Sequence, residues 1–251
     1  MHVSEIAMTD VSPSLSFNPT KNQIVSISSI SMIRERLLSL PRGSWVFIDL
    51  DETLWRHTGI SVRSIPCGND QYRCVGSSIY KLVEEEMVTL ISELKNKGIH
   101  VLSITSRGSV SSTRAETFEH LKTLGVEFSR ILPESVVMLK EHGLDTDAIY
   151  EDGVVFVSDF SKGPIILELL KRAGEFRISI PPEIALIDDL EENINSAKEA
   201  LEGCLEYHIP FFGIHYTAEK HVVHKKASEG ETPKLRNLIL EMHRSISRST
   251  Y

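Results

Sequence analysis

The run Val46-Phe47-Ile48-Asp49-Leu50-Asp51-Glu52-Thr53-Leu54 joins an apolar strand directly to two carboxylates two residues apart, with a threonine behind them. A carboxylate beside a core strand is costly to desolvate, and two of them repel unless a cation lies between them. Such a chain is confined to folds in which a buried strand opens at its carboxyl end onto a polar site. Magnesium suits that site, being a hard cation commonly held by one or two carboxylates, waters and phosphate oxygens. Beside it, one oxygen of Asp49 can attack phosphorus to give an aspartyl phosphate. Asp51 can then protonate the leaving oxygen and later activate water. The alternative is a solvated turn after a strand, since short acidic motifs also arise by chance.

Three further signals follow in order. His100-Val101-Leu102-Ser103-Ile104 reads as a buried strand and ends in Thr105-Ser106-Arg107, which puts the Thr105 hydroxyl at a strand's carboxyl end, where open α/β sheets bind ligands. Ser161-Lys162-Gly163-Pro164 opens an apolar-rich helix that runs through Leu170 towards Gly174, with Ser161 as N-cap. A cation is disfavoured at a helix N-terminus, so Lys162 requires an anion opposite it, phosphate or aspartate. Ile184-Ala185-Leu186-Ile187 is another buried strand, ending in Asp188-Asp189 with Asn193 four residues on. The paired acids offer the second carboxylate for a metal.

These residues resemble the haloacid dehalogenase-like (HAD) superfamily, whose four motifs stand here in family order from about Trp45 to Asn193. The resemblance implies that Asp49 is the nucleophile and that Asp51 is the general acid/base, also giving Mg2+ its backbone carbonyl. It implies that Thr105 and Lys162 bind the phosphoryl group and that Asp189 completes the metal site. Asp188 stands where the family often has glycine, so either of the adjacent acids can be the direct ligand; Asp189 is favoured. The aspartate at the second position of the first motif is the phosphatase and phosphomutase pattern, and dehalogenases lack it. The stretches Asp152–Phe156, Ser161–Gly163, Asp188–Asn193 and Phe212–Thr217 are similar to a little-characterised bacterial subgroup, some of whose members resemble secreted effectors of intracellular bacteria with phosphotyrosine phosphatase activity.

A chain of 251 residues with 41% apolar content can bury one substantial core. The net charge of -8 argues against general nucleic-acid binding. Nothing approaches the roughly eighteen consecutive apolar residues of a spanning helix, and the N-terminus lacks the pattern of a signal peptide. A cytoplasmic protein is therefore expected, or one exported by a specialised secretion route. Cys67 and Cys74 read as free thiols rather than a disulfide or metal pair.

The expected architecture is α/β: a doubly wound parallel sheet with strands ending at Asp49, Thr105 and Asp188, and only a small cap insertion at about residues 56–78. Residues 1–30, serine-rich with Pro13 and Pro19, read as a flexible or loosely docked segment, 31–220 as the catalytic domain and 221–251 as a tail with a helix. That helix is read as docked, with membrane-surface contact as the alternative. Helices are expected near 30–40, 81–97 and 112–124. Ser106 and Arg107 follow the second motif and are candidate substrate contacts, weighed against a solvated arginine. His215 and Tyr216 read as packing.

The expected reaction is Mg2+-dependent hydrolysis of a phosphate monoester through phosphorylated Asp49, on a phosphoprotein or a small metabolite; the short insert leaves room for a bulky substrate. A receiver-like domain would place the paired acids before the acceptor, the reverse of this order. A phosphomutase would need a closing cap. A catalytically idle binding module would not need intact acids at every catalytic position.

Overall fold

Trp45–Ile48 and Ile184–Asp188 are buried throughout, and so is all but the first residue of His100–Thr105. A strand with no polar face has to lie inside a sheet covered on both sides. The computed structural model describes residues 22–66, 72–142 and 146–218. In chain order the elements are β1 (Gln23–Ile27), a 3-10 turn (Ile30–Met32), α1 (Arg34–Leu38), β2 (Trp45–Ile48), β3 (Trp55–Pro66), β4 (Tyr72–Leu82), α2 (Glu86–Asn96), β5 (His100–Thr105) and α3 (Ser111–Thr123). There follow β6 (Val136–Lys140), β7 (Ala148–Glu151), β8 (Val154–Phe156), α4 (Lys162–Glu175), β9 (Ile184–Asp188), α5 (Glu191–Gly203) and β10 (Phe211–Tyr216).

The main sheet has eight strands in the order β1-β10-β9-β2-β5-β8-β7-β6. From β1 to β8 every neighbouring pair is parallel, whereas β7 is antiparallel to both β8 and β6. The chain builds outward from β2 to β5 and β8, then returns through α4 to β9 on the other side of β2. The reversal at β2 is the switch point at which doubly wound sheets open a crevice beyond their strand ends. The two faces are visible within β2 itself. Val46 and Ile48 pack with Leu37, Met87, Leu90, Ile91, Leu94 and Leu121 of α1, α2 and α3, while Trp45 and Phe47 pack with Ile165, Ile166, Leu169, Ile194 and Leu201 of α4 and α5.

Several elements differ from the sequence expectation. Gln23–Ile27, placed above in the N-terminal segment, form β1, paired in register with β10 from Gln23–Phe212 to Ile27–Tyr216, and Ile30 is fully buried. A five-residue edge strand gets its order from this remote pairing, not from local pattern. The insertion is a two-stranded hairpin registered from Trp55–Leu82 to Pro66–Tyr72, wider than residues 56–78. Because β4 runs to Leu82, α2 begins at Glu86 and not near Lys81. Ser161 occupies the N-cap position of α4, but its hydroxyl makes no capping hydrogen bond. The side chains of Cys67 and Cys74 and the predicted tail helix lie outside the described residues.

Two glycines fix local geometry. Asp152 and Gly153, with φ of 45° and 92°, form the two-residue turn between β7 and β8, the Asp-Gly arrangement of a type I′ hairpin. At Gly163 a Cβ would lie 2.1 Å from the carbonyl oxygen of Ser196, so α4 meets α5 at a distance only glycine permits. Helix propensity alone would make Gly163→Ala stabilising by about 1 kcal/mol. The close approach predicts the opposite: a loss of about 2–3 kcal/mol from overpacking, measured by urea denaturation.

Candidate functional site

The carboxyl ends of β2, β5 and β9 lie side by side, since β2 pairs with both of the others and Asp49 N donates to Ile187 O at 3.0 Å. Past β2 the chain turns tightly: Leu54 N and Trp55 N both donate to Leu50 O at 3.0 Å, and Glu52 adopts a left-handed φ of 64°. The turn carries Asp51 back over the strand end. The first residue of α4, Lys162, is wholly buried and donates to Asp49 Oδ1 at 2.5 Å and to Asp188 Oδ2 at 2.6 Å. The anion that a lysine at a helix N-terminus demanded is thus a pair of aspartates. Asp188, also wholly buried, accepts through Oδ1 from Leu190 N at 2.9 Å and Asn193 Nδ2 at 3.0 Å, so Asn193 anchors the acid at the entry to α5.

The electrostatics follow from burial with too few cations. Burial alone would depress the Lys162 amine, but the charges and hydrogen bonds of Asp49 and Asp188 outweigh it and push the amine above its ordinary value. Burial pushes the Asp49 carboxyl up to about 8; Lys162 opposes this and the Asp188 charge reinforces it. Asp189 joins them, and one carboxylate oxygen each from Asp49, Asp188 and Asp189 lie within 4.8 Å of one another. Three carboxylates facing one ammonium leave an excess of negative charge that a divalent ion would balance. An all-oxygen donor set is the kind that a hard cation such as Mg2+ prefers. Both adjacent acids belong to this group, with Asp188 the one locked to Lys162; the Asp51 side chain is not part of it.

Asp51 has partners of its own. Its Oδ1 accepts from Trp55 Nε1 at 3.0 Å and from an Arg107 Nη at 2.8 Å, and its Oδ2 accepts from Arg107 Nε at 2.8 Å. Burial works to raise the Asp51 carboxyl, but the Arg107 hydrogen bonds and charge, with help from Trp55, bring it below the usual carboxylate value. The guanidinium carbon lies 5.0 Å from the Trp55 ring centroid and 4.9 Å from that of Tyr80. Arg107 is therefore a partner of Asp51, not a solvated loop residue. Thr105 is buried at the end of β5 and its Oγ1 accepts from Arg107 N at 3.3 Å, while Ser106 is exposed. His215 Nε2 lies 3.1 Å from Asp189 O; a carbonyl only accepts, so this nitrogen carries the proton and ties β10 to the acid pair. Tyr216 donates to Glu84, which also accepts from Ser29 Oγ and Ile30 N. Trp55 and Tyr80 were not among the residues singled out from sequence; the spacing of four between Asp51 and Trp55 is the only local signal, and Tyr80 has none.

A family profile described as "Protein of unknown function (DUF2608)" matches residues 73–241. The chain belongs to the DUF2608 family. The DUF2608 match takes in Thr105, Arg107, Lys162 and the Asp188–Asp189 pair, and begins after Asp49 and Asp51. The chain is similar to a protein of Chlamydia trachomatis serovar D named "Putative outer membrane protein", 24% identical over 223 residues, 79% of this chain and 78% of that protein. A protein of the same name from Chlamydia muridarum is 25% identical over 224 residues, with the same coverage of both chains. One from Chlamydia pneumoniae is 25% identical over 138 residues, 55% of this chain and 47% of that protein. No solved structure matches the chain. Among the described residues of this DUF2608 protein, no helix is long and apolar enough to cross a membrane.

The raised Asp49 value has a testable sign. A carboxyl whose folded value, about 8, lies above its ordinary 3.8 stabilises the fold fully below 3.8, and that contribution is lost as the pH rises through about 8. A cation that displaces the proton restores stability where the proton has left. Magnesium is thus expected to raise the melting temperature over an EDTA control more at pH 8 than at pH 5, as read by differential scanning fluorimetry. Equal shifts at both pH values would mean that the ion binds elsewhere.

Proposed function

We propose that the protein is a Mg2+-dependent phosphomonoesterase of the haloacid dehalogenase-like type, working through phosphorylated Asp49. The observation that carries this reading is the buried Asp49–Lys162–Asp188 cluster at the switch point of the sheet, with Asp189 within ligand distance. A structural ion pair has no need of a third carboxylate, nor of a place at the mouth of three parallel strands.

In this reading Asp49, Asp188 and Asp189, with the Asp51 carbonyl, hold Mg2+, which when bound would screen the carboxylates from the incoming phosphate and offset the charge that develops on it. Lys162 keeps Asp49 in one orientation and supplies positive charge to the transferring phosphoryl group, with the Thr105 hydroxyl as a further donor. One oxygen of Asp49 forms a bond to phosphorus as the ester oxygen departs. Water then attacks the acyl phosphate, the bond from phosphorus to Asp49 breaks, and Asp51 takes the water proton.

The pairing with Arg107 favours one class of leaving group. It keeps Asp51 ionised in the resting site, which suits its part as base in the second half, and in the first half it favours an ester whose oxygen is stable as an anion. The phenolate of a tyrosine side chain is such a group and an aliphatic alkoxide is not. Together with an insertion of just two strands, this supports an aryl phosphate, a phosphotyrosine protein included, over a small alkyl metabolite. The name of the chlamydial relatives, "Putative outer membrane protein", fits a protein at or beyond the cell envelope, and a specialised export route is part of this reading beside a cytoplasmic one.

Phosphate release from p-nitrophenyl phosphate, phosphotyrosine, phosphoserine and sugar phosphates tests the proposal. Turnover is expected with magnesium, to be lost with EDTA, to fall to background in Asp49→Asn, which removes the nucleophile, and to favour the aryl esters. A folded, magnesium-loaded wild type that cleaves none of them would leave the fold as a binding module.

A further inference from the structure

The half-exposed carboxylate of Asp51 is held by Arg107 and the indole N–H of Trp55, and neither Arg107 nor its supports belong to the strand that carries the nucleophile. Arg107 is clamped on its other sides by rings. Tyr80 of β4 lies at 4.9 Å, and Tyr80 is itself packed against Trp55 at 5.3 Å, His57 at 5.5 Å and His120 at 4.6 Å. His120 of α3 also bonds the Ser78 carbonyl in β4, and an Arg107 Nη reaches Thr117 of α3 at 3.4 Å. A flexible side chain is thereby confined by a cation–π contact from the hairpin stem and a two-pronged ion pair to the acid.

We propose that Arg107 and Tyr80 are positioning residues for Asp51. The hairpin stem holds the guanidinium through the Tyr80 ring, and the guanidinium aims the carboxylate at the water that cleaves phosphorylated Asp49. This rests on the phosphatase reading above and adds to it a physical link from the β3–β4 insertion to one half of the reaction. In that half the water oxygen bonds to phosphorus, the bond from phosphorus to the Asp49 oxygen breaks, the water proton passes to Asp51, and phosphate leaves. Formation of the acyl phosphate from an activated aryl ester does not call on Asp51, because nitrophenolate departs without a proton. Loosening the hold should therefore slow the second half and spare the first.

The test uses the full chain, magnesium and p-nitrophenyl phosphate. Tyr80→Ala and Arg107→Gln are expected to lower kcat by about tenfold or more while kcat/KM stays within about threefold, because KM falls as the phosphorylated enzyme accumulates. Rapid mixing should then show a burst of nitrophenolate. Tyr80→Phe, which keeps the ring but removes the hydroxyl that also bonds Arg107, should lose less than Tyr80→Ala, and Arg107→Lys, which keeps the charge but not the fork, should not recover wild-type turnover. A parallel fall in kcat and kcat/KM without a burst, or unchanged kinetics, overturns the proposal.

A second measurement is independent of turnover. The Trp55 indole N–H, one of two tryptophan indoles in the chain and identified by comparison with Trp45→Phe, should exchange with solvent faster in Tyr80→Ala while the Trp45 indole keeps its wild-type rate, which separates local release from a general loss of stability. Tyr80→Leu serves if the alanine variant fails to fold. Slow exchange in every variant overturns the hold on Asp51. If the wild type cleaves no ester but exchange does accelerate, the phosphatase reading fails and the mechanical link stands.

Discussion

Lys162 lies between Asp49 and Asp188 with no exposed surface, and most of the site is arranged around that ammonium. Removing either acid would leave a buried charge short of a partner, a loss of several kcal/mol in proteins generally. Its placement on the first turn of α4 runs against the helix dipole, and the arrangement survives because two carboxylates are carried to it on neighbouring strands. The pair also prevents β2 and β9 from ending in mutual repulsion. One side chain thus joins the strand that carries the first acidic motif to the strand that carries the last.

The helices hold this geometry from behind. Gly163 lets α4 close onto α5 at Ser196, and the Ser196 hydroxyl accepts from Gly163 N at 3.2 Å. Asn193 and Leu190 N fix the far side of Asp188 at the start of α5, and His215 holds the Asp189 carbonyl from β10. Asp51 has a separate support that depends on α3 and the hairpin. The acid–lysine cluster and the acid–arginine pair therefore rest on different walls of the same crevice.

What could be read from the sequence follows from how local each interaction is. β2 and β9 are uninterrupted apolar runs and β5 is broken only by Ser103, and their polar termini mark the site, so Asp49, Thr105, Lys162 and the Asp188–Asp189 pair can be chosen without coordinates. β1 is not legible in the sequence because Gln23–Ile27 is ordered by pairing with Phe212–Tyr216, nearly the whole described chain away. The start of α2 reads too early from sequence because Val83 keeps the helical spacing of Met87, Leu90, Ile91 and Leu94, although it lies between the end of β4 at Leu82 and the first helical residue, Glu86. Tyr80 lies in a strand of mixed character, and nothing near it in sequence reveals that its ring meets Arg107. The Asp51–Arg107 pair joins residues 56 positions apart, which charge composition alone cannot match.

The alternation within β2 carries a further consequence. Trp45 and Phe47 face one core and Val46 and Ile48 the other, and Asp49 is the next residue along. Sliding this strand by a single position would put two aliphatic groups where one core holds an indole and a phenyl ring, force the two rings into the space of the aliphatic pair on the other face, and carry Asp49 about 3.3 Å along the strand axis and onto the opposite side of the sheet. The unequal sizes of these four side chains therefore act as a gauge. Substitutions that even them out, such as exchanging Val46 with Phe47, would blur the position of a carboxylate they never touch.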